Sequence, residues 1–527
     1  MGKRFNTTGI CYPDEHYMVN MQDRLRDIET MVAAGEYFTI NRARQYGKTT
    51  LLNLLEEKLA HEYTVLSISF EGMGNDAYVS ESAFCQSICR LLSRMVYYKD
   101  KKDMPPLLAE RLKLIKSEGT DMIGLSDLFS ELCGQMKRPV ILIIDEVDQA
   151  SDKEVFLSFL GMLRDKYLQR KKLPAFQTVI LASVYDIKNL KLKVRPQSEH
   201  HYNSPWNIAC DFGIDMSFSA EDIAGMLEEY ERDYHTQMDV RGIAELICDY
   251  TCGYPFLVSR LCKIADERIS VRAGFSKSTA WTHSGIVEAV KELLAETNTL
   301  FDDMIKKTED FPELKKTLYA ILFRGEIIPY NSDYYVLNTG ILFGFLKNKD
   351  GIVAVANRIF ETRFYNLFLA EELLDSKIYK AGAMEKSLFV ENGQLNMELV
   401  LEKFTEAFTD IYSGMDEPFL EENGRRLFLL YLKPIINGVG NYYIEARTRD
   451  MGRTDVIIDY RGKQYVCELK IWRGNAYHRR GQRQLLEYLD SYHLTVGYML
   501  SFNFNRNKQV GVKKIWMNEK LLIEAVV

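Results

Sequence analysis

Residues 41–50, NRARQYGKTT, end in the tripeptide Gly47-Lys48-Thr49, whose residue types suit phosphate chemistry. In such a loop, backbone N–H groups at the start of a helix face the β- and γ-phosphates, and a lysine such as Lys48 adds a point charge. The hydroxyl of Thr49 can ligate Mg2+. The stretch has Arg42 where a phosphate loop usually opens with glycine, so a basic turn that binds no nucleotide is the alternative.

A second element, RPVILIIDEVDQA at residues 138–150, favours the nucleotide site. The apolar run at residues 140–144 is typical of a parallel strand that is buried on both faces. The pair Asp145-Glu146 follows at the carboxyl end of this strand, at the edge of an open α/β sheet where ligands bind. Asp145 can hold the Mg2+ shell, and Glu146 can orient the attacking water. The acidic pair and the loop together predict a nucleotide site.

The elements that must position these residues alternate between helix and strand. A helical pattern over residues 21–35 stops at Gly35, and a second amphipathic helix follows the loop. Ser183, at the end of a predicted strand, is a candidate polar sensor of the γ-phosphate. The alternation predicts an α/β fold with a parallel sheet. Its strands are expected at residues 36–43, 63–72, 140–144, 176–184 and 210–218.

Residues 1 to about 375 resemble the predicted AAA-like ATPases of bacteria, P-loop proteins with a catalytic glutamate that are close to the STAND and archaeal ATPase groups. In that family the phosphate loop commonly has the pattern Arg-x-Arg-x-aromatic-Gly-Lys-Thr/Ser, so Arg42 fits the family pattern. The resemblance implies ATP and Mg2+ as cofactors and Glu146 as the catalytic acid, with Thr49 and Asp145 on the metal. The implied nucleotide-binding set is Arg42, Arg44, Gln45, Tyr46, Gly47, Lys48, Thr49, Thr50, Asp145 and Ser183.

The same resemblance extends to the segments on either side of the sheet. Residues 5–20 resemble the family's N-terminal lead-in, which would lie near the nucleotide. CGYPFLVSRLCK, residues 252–263, resembles the start of a helix in the lid subdomain, and Arg260 is a candidate second sensor. No arginine finger is assigned: Arg42, Arg44 and Arg195 are candidates, and a solvated charge is the default interpretation for each. An ATPase core over residues 1–218 and a helical lid over residues 219–295 are therefore expected.

Residues 296–375 have the pattern helix, hairpin, helix, which fits a winged-helix-like connector with KNKDGIVAVA as its wing. A recognition helix that reads DNA is one interpretation. The region of such a recognition helix has few lysines and arginines, so packing is favoured over DNA binding. Residues 376–414 are expected to be a linker with some helix.

A second set of chemical residues lies in RTDVIIDYRGKQYVCELKIWRG, residues 453–474, which predicts two strands joined by a tight turn at Arg461-Gly462. Asp455 begins the first strand, and Glu468 and Lys470 share one face of the second because they are two residues apart. A hairpin of this length brings the two carboxylates together. With the carbonyl of Leu469 they would bind one or two divalent cations, and Lys470 would position a nucleophilic water.

This constellation resembles the PD-(D/E)XK nuclease fold, in the branch with a Gln-x-x-x-Tyr helix after the core, here Gln484 and Tyr488. FLEENGRRLFLLYL, residues 419–432, resembles the leading helix of that family, with Glu422 favoured as an extra carboxylate. The resemblance covers residues 415–505 and implies a nuclease-like domain over residues 415–527. Its implied catalytic set is Asp455, Glu468, Lys470 and Gln484, and its metal set is Glu422, Asp455, Glu468 and Leu469, with Mg2+ or Mn2+.

The charge of the chain is unevenly distributed. Residues 421–527 hold 18 Lys and Arg against 11 Asp and Glu, which leaves 49 against 63 for the rest of the chain. A basic portion on an acidic body suggests that a polyanion meets the C-terminal part. Nucleic acid is thus the expected partner, DNA before RNA, although a chance excess of solvated charge is the alternative. The basic residues near the predicted metal site are Arg447, Arg449, Arg453, Arg473, Arg479, Arg480 and Arg483.

The composition narrows the class of protein. No run of 18 apolar residues is present, so no membrane span is expected. The nine cysteines are scattered without a Cys-x-x-Cys pair, and MGKRFNTTG has no apolar signal core, so reduced thiols in the cytoplasm are expected.

The sequence predicts an ATPase joined to a metal-dependent nuclease, in defence or mobile-element control by analogy. The alternative is a STAND-like signalling ATPase that docks nucleic acid or protein without cleavage. A homo-oligomer is left open.

Overall fold

The computed structural model describes most of the 527 residues. Asp455 is described by its backbone position alone. Arg195, Arg447, Arg449, Arg453 and Gly462, which the sequence analysis singled out, lie outside the described residues. The described residues are 2–99, 110, 119–184, 187, 205–324, 326–372, 376–384, 388–391, 393–412, 419, 421–436, 440–445, 455–461, 463–491, 494–505 and 508–527.

The chain forms two compact units, each described below by itself. The first consists of Met1–Cys248, Cys252–Ala289 and Leu342–Gly344. The second consists of Asp249–Thr251, Val290–Ile341 and Phe345–Val527.

The first unit contains a parallel sheet, which confirms the predicted α/β core. Its described strands are ordered β1-β4-β3-β2, and all neighbours run parallel. Every residue of β3 and β4 is buried, as expected for strands covered on both faces. The strands are β1 Phe38–Asn41, β2 Thr64–Ser69, β3 Val140–Asp145 and β4 Thr178–Ser183; the flanking helices are α1 Gln22–Ala33, α2 Lys48–Leu59, α3 Glu81–Lys99, α4 Met122–Gln135 and α5 Glu154–Gln169.

The prediction of a strand at residues 210–218 is wrong. Only Cys210 bridges to the sheet, opposite Phe38, and the segment then leaves the sheet. The reason lies in its side chains and carbonyl groups. Phe212 stacks on Phe38, with ring centroids 6.0 Å apart, and the Ile214 carbonyl accepts a hydrogen bond from the Arg42 guanidinium. The segment therefore packs beside the phosphate loop rather than extending the sheet.

The chain from residue 219 to 295 is largely helical. Gly253 lies in the left-handed region before α8, and a Cβ there would come within 2.0 Å of the Phe218 carbonyl oxygen, so only glycine fits. Pro255 begins α8 at a position that lacks a helical N–H partner in any case. The helices are α6 Ala220–Tyr234, α7 Val240–Thr251, α8 Pro255–Glu267 and α9 His283–Ala295.

The second unit begins with the helix–hairpin–helix order that was predicted for residues 296–375. The hairpin β5–β6 coincides with the expected wing, and Phe360 and Phe364 of α13 are buried. The elements are α10 Thr299–Asp310, α11 Pro312–Phe323, α12 Tyr335–Leu342, β5 Leu346–Lys349, β6 Ile352–Val355 and α13 Arg358–Glu372. The segment expected to be a linker contains α14 Lys377–Met384, β7 Val390–Glu391, β8 Gln394–Leu395 and α15 Met397–Tyr412, and Phe404 of α15 is fully buried.

The C-terminal part of the second unit contains a sheet with six described strands, in the order β13-β14-β12-β11-β10-β9. The predicted hairpin is present as β10 and β11, with Arg461 in the left-handed region at its turn. Strand β11 runs parallel to β12, which runs parallel to β14. The elements are α16 Glu421–Ile436, β9 Gly440–Glu445, β10 Asp455–Tyr460, β11 Lys463–Ile471, α17 Asn475–Ser491, β12 Val496–Phe502, β13 Gly511–Met517 and β14 Lys520–Val526.

Among the helices that the structure describes, none has both the length and the apolar character needed to cross a membrane. The nine cysteines are present as free thiols.

Candidate functional site

The phosphate loop is folded around the ammonium group of Lys48. Gly47 precedes α2 in the left-handed conformation, with φ of 78°, and so turns the chain into the helix. Lys48 is 7% exposed, and its Nζ donates to the carbonyl oxygens of Arg42 at 2.9 Å and Ala43 at 3.0 Å. Burial lowers the pKa of Lys48, while the charges of the nearby acids oppose that shift. The loop thus holds one cationic group at the start of a helix, as phosphate binding requires.

Thr49 and Asp145 meet although they lie far apart in the sequence. The Thr49 hydroxyl donates to Asp145 Oδ2 at 2.9 Å. A hydroxyl and a carboxylate are hard oxygen ligands of the kind that Mg2+ accepts, so these two residues fit the expected ion. Among the described residues no three His, Cys, Asp or Glu side chains gather into a metal cluster. A Mg2+ ion that takes its other ligands from phosphates and water needs no such cluster.

Glu146 follows Asp145 in an unusual backbone conformation. Its φ of 54° lies in the left-handed region, which is uncommon for a residue other than glycine. Its N–H donates to Asp145 Oδ1 at 2.9 Å. Burial raises the pKa of Glu146, and the neighbouring charges of Asp145 and Asp148 act in the same direction. A carboxylate of raised pKa is better suited to take a proton from a water molecule.

Asp148 was missed by sequence reasoning, and the structure joins it to Ser183. The Ser183 hydroxyl donates to Asp148 Oδ1 at 2.5 Å, and the Val184 N–H donates to both carboxylate oxygens, at 2.8 and 3.1 Å. The available signal was the third acid in the sequence Asp145-Glu146-Val147-Asp148. Ser183 therefore lies at the same sheet edge as the acidic pair, and its role as a sensor of the γ-phosphate stays a prediction.

Several predicted loop residues contact protein groups. The Arg42 guanidinium donates to the carbonyl oxygens of Asn41 and Ile214, and burial lowers the pKa of Arg42. The Tyr46 hydroxyl lies 2.7 Å from Ser217 Oγ. The Arg44 carbonyl accepts a hydrogen bond from the Tyr254 hydroxyl at 2.5 Å. The contacts of Arg42, Arg44, Gln45 and Tyr46 with a nucleotide stay predictions.

The N-terminal lead-in reaches the same helix. The Cys11 N–H donates to Thr50 Oγ1 at 3.2 Å, in the first turn of α2. The lead-in therefore contacts the helix that follows the phosphate loop, and its closeness to a nucleotide stays a prediction. The contact also shows that Thr50 has a partner within the protein. Arg260 lies on α8, and its role as a second sensor stays a prediction.

The predicted residues of the C-terminal site stand on β10 and β11. The strand register places Asp455 directly opposite Glu468. Glu468 is fully buried, Lys470 is 4% exposed, and Lys470 Nζ lies 2.7 Å from Glu468 Oε1. Leu469 between them is also buried, and it stands opposite Leu500 of β12. Strand β11 thus carries a carboxylate and an ammonium group that pair with each other and are buried.

The other predicted side chains of this site, Glu422 and Gln484, lie on helices α16 and α17. Glu422 Oε1 of α16 lies 3.7 Å from Arg425 Nη2. It is the adjacent Glu421 that reaches β11, because its Oε1 accepts from the Ile471 N–H at 3.2 Å and the Tyr477 hydroxyl at 3.0 Å. Sequence spacing could not choose between two consecutive glutamates.

Helix α17 covers the face of β11 that carries Lys470. A Cβ on Gly481 of this helix would lie 3.3 Å from Lys470 Cγ. Gln484 is half-buried on the helix and Tyr488 is buried, and the catalytic role of Gln484 stays a prediction. The exposed arginines on or beside α17 are Arg473, Arg479, Arg480 and Arg483.

A parallel α/β sheet, a Gly-Lys-Thr loop at the start of α2 and an acidic pair at the end of β3 define a P-loop ATPase fold. A family model for the AAA-like domain matches residues 12–297. This match covers more than half of the 527 residues, and the chain belongs to that family. A search of curated proteins returned no match.

Three solved structures illustrate the likeness at low identity. The Walker-type ATPase of Pyrococcus abyssi is 12% identical with a TM-score of 0.46, covering 68% of this chain and 99% of that one. The RuvB Holliday junction branch migration motor of Thermotoga maritima is 13% identical with a TM-score of 0.32, covering 64% and 92%. The ORC1 protein of Aeropyrum pernix, in complex with DNA, is 13% identical with a TM-score of 0.30, covering 68% and 95%. Scores this low carry no inference about activity or partners.

Proposed function

We propose that the first unit binds ATP with Mg2+ and hydrolyses it. The observation that carries this proposal is the contact between Thr49 and Asp145, which joins the phosphate loop to the end of β3. Mg2+, when bound, neutralises charge on the β- and γ-phosphates. Lys48 adds a second positive charge to the phosphates, and Glu146 orients the attacking water and accepts its proton.

The test of this proposal is Glu146→Gln. The substitution keeps the shape of the side chain and removes its ability to take a proton, so ATP should bind as in the wild type and be hydrolysed far more slowly. Binding is measured with a fluorescent ATP analogue, and hydrolysis by phosphate release. Asp152→Asn is a matched control, because Asp152 is an exposed acid a few residues further on. Hydrolysis by Glu146→Gln at the wild-type rate would show that another group performs this step.

We further propose that the second unit cleaves phosphodiester bonds with a divalent cation. The observation that favours this function is the position of Asp455 opposite Glu468, with Lys470 beside Glu468. Asp455, Glu468 and the Leu469 carbonyl would hold Mg2+ or Mn2+. Lys470 would position the water that attacks phosphorus. The leading helix α16 precedes β9 in the chain and the Gln-x-x-x-Tyr helix α17 follows β11, which is the order that the resemblance implies.

The substrate of this second site is proposed to be nucleic acid, with DNA preferred to RNA. The exposed arginines of α17 lie on the helix that covers β11, where they could neutralise backbone phosphates. No base-reading motif is apparent in the sequence, so the contacts expected are with the backbone. A role in defence or mobile-element control rests on analogy alone.

Cleavage of a plasmid by the purified protein tests this second proposal. Wild type and Asp455→Ala are incubated with Mg2+ or Mn2+, and nicked and linear products are measured. Cleavage that Asp455→Ala lacks supports a nuclease. Retention of the plasmid on the protein without cleavage would instead support the alternative, a signalling ATPase that only docks nucleic acid.

We also propose that nucleotide state controls this cleavage. Hydrolysis of a phosphodiester bond needs no ATP, so a chain that carries both sites is expected to use ATP as a signal. The γ-phosphate would be read through Ser183 and the lid segment at residues 253–255. ATP can shift the nuclease only as far as it binds the active arrangement better than the resting one.

A further inference from the structure

Helix α9 contributes residues to both compact units of the chain. The first unit includes its residues up to Ala289, and the second unit includes those from Val290 onwards. Ile286 and Ala289 are fully buried before this boundary, and Val290 and Leu293 are fully buried after it. One continuous helix therefore has buried side chains in each unit, and a rigid helix of this kind can carry a displacement from one of its ends to the other.

The last turns of α9 pair with the hairpin that carries the proposed metal ligands. Lys291 Nζ lies 2.5 Å from Asp459 Oδ2 of strand β10. The two side chains are only 12% and 7% exposed, so this ion pair is screened by salt much less than a surface pair. Both residues belong to the second unit.

Asp459 lies on the face of the sheet that carries Glu468. It stands opposite Gln464 of β11. Gln464 and Glu468 are four residues apart, and an even separation places both on one face of their strand. Asp455 begins strand β10 four residues before Asp459, about 13 Å away at a rise of about 3.3 Å per residue. Lys291 therefore contacts the proposed metal-site hairpin on the face of Glu468.

The end of α9 is also held by the connector helix α13. Arg363 of α13 donates through Nη1 to the carbonyl oxygens of Leu294 at 3.0 Å and Glu296 at 3.5 Å. The guanidinium carbon of Arg363 lies 4.2 Å from the centroid of the Phe301 ring. An arginine that donates to the last carbonyl groups of a helix stabilises its C-terminus. The end of α9 is thus fixed both by α13 and by β10.

The ion pair makes α9 and β10 move together. Removal of one partner of a buried pair leaves the other charge buried and uncompensated, which is strongly unfavourable. A movement of α9 is therefore expected to draw Asp459 with it. Lys291 falls within residues 12–297, the range that the AAA-like family model matches, whereas Asp459 belongs to the C-terminal sheet.

We propose that helix α9 transmits nucleotide state to the proposed metal site through the ion pair between Lys291 and Asp459. A movement of α9 when ATP replaces ADP is carried to β10, and it changes the position of Asp455 relative to Glu468. This inference rests on the proposed ATPase and nuclease functions, and it names the contact through which the first controls the second. Lys291 is a positioning residue, because it acts on the metal ligands through Asp459.

Hydrogen exchange followed by mass spectrometry tests this link without requiring cleavage. The parent protein is Glu146→Gln, which is proposed to hold ATP, and it is compared with ATP and with ADP at one Mg2+ concentration. Nucleotide should protect peptides from α2, and peptides from β10 and β11 should exchange at different rates with ATP and with ADP. Lys291→Met in this parent should keep the protection of α2 and lose the difference at β10 and β11.

Lys520→Met is the matched control for the loss of a lysine. The Lys520 side chain is 13% exposed, against 12% for Lys291, and its ion pair with Asp490 joins β14 to α17 rather than to α9. This control variant should keep the difference between ATP and ADP at β10 and β11. Persistence of that difference in Lys291→Met, or its loss in both lysine variants, would overturn the proposal.

The ratio of plasmid cleavage with ATP to cleavage with ADP tests the link at the proposed metal site. This ratio cancels any change in the amount of folded protein, which a merely structural role of Lys291 would alter. Coupling between two sites commonly changes an equilibrium constant by about five- to 150-fold, so a ratio in that range is expected for wild type. The ratio should fall to about one in Lys291→Met and be retained in Lys291→Arg, which keeps the positive charge. Equal ratios in Lys291→Met and wild type would contradict the inference.

The same measurements distinguish failure of this link from failure of the proposed functions. Exchange of α2 that does not respond to nucleotide would refute the proposed ATP binding, and the inference with it. Nucleotide-dependent exchange at β10 and β11 without any cleavage would refute the proposed nuclease, while Lys291→Met still decides whether α9 transmits the signal. Equal exchange of β10 and β11 with ATP and with ADP, in a parent protein whose α2 is protected, would overturn the inference alone.

Discussion

The nucleotide site and the C-terminal site are assembled in different ways. Residues of the first come from three distant segments, because parallel strands bring their carboxyl ends to one edge of the sheet. The pair Asp455 and Glu468 comes from one antiparallel hairpin. The first site is a half-buried network of hydrogen bonds, whereas Glu468 and Lys470 form a buried ion pair. A hairpin places its groups by local register, but a parallel sheet places them only when the whole domain is folded.

The largest effect is expected from substitutions of the predicted metal ligands on the hairpin of β10 and β11. Asp455→Asn and Glu468→Gln should each reduce cleavage by at least about a hundredfold, because a bound metal stabilises the transition state by several kcal/mol. Both should also weaken Mn2+ binding, measured by calorimetry, since amides are poorer ligands for a hard cation.

Lys470→Ala completes that experiment. It should stop cleavage while Mn2+ still binds, because the lysine is proposed to act on water. Glu487→Gln, an exposed position on α17, should change neither quantity. Equal Mn2+ affinity in wild type and Asp455→Asn would show that Asp455 is not a metal ligand.

A smaller effect is expected at the phosphate loop. Lys48→Ala should weaken ATP binding by about ten- to hundredfold, because a hydrogen bond to a charged group contributes about 1.5–3 kcal/mol. Lys58→Ala, on the same helix and paired with Glu29, is the control and should bind ATP normally. Equilibrium titration with a fluorescent ATP analogue measures both. Unchanged affinity in Lys48→Ala would argue that the loop does not bind phosphates.

The smallest effect concerns the stability of the C-terminal sheet. Burial raises the pKa of Glu524, but hydrogen bonds from His478, Gln482 and Lys513 outweigh it and lower the pKa to about 2. The ionised carboxylate therefore stabilises the fold above its ordinary pKa of 4.5, and this contribution is lost as the pH falls through about 2. Glu524→Gln should destabilise the sheet by about 1–3 kcal/mol at neutral pH.

Hydrogen exchange followed by mass spectrometry locates this effect. Peptides from α17, β13 and β14 should exchange faster in Glu524→Gln at pH 7, while peptides from β3 and β4 keep their protection. The difference between variant and wild type should shrink as the pH is lowered below 4.5. A difference that persists unchanged into acid would show that the hydrogen bonds to Glu524 do not depend on its charge.

The sequence predicted the elements better than it predicted the contacts. The apolar run before Asp145 and the alternation around Asp455 and Glu468 determine buried strands and their faces, and both are present. The contact between Asp148 and Ser183 could not be predicted, because Ser183 lies on another strand whose pairing the sequence does not state. The segment 210–218 has a strand-like composition, but Phe212 packs on Phe38 and draws it away from the sheet.

The central claim, that nucleotide state controls cleavage, is tested by one set of plasmid assays at a single Mg2+ concentration. Wild type, Lys48→Ala and Glu146→Gln are each incubated with ATP, with ADP and without nucleotide. Glu146→Gln with ATP should cut at least as well as wild type, because it holds the ATP-bound state. Lys48→Ala should cleave almost no plasmid, although its proposed nuclease residues are intact. Equal cleavage in all three proteins under all three conditions would contradict the account, because it would show that the two sites act independently.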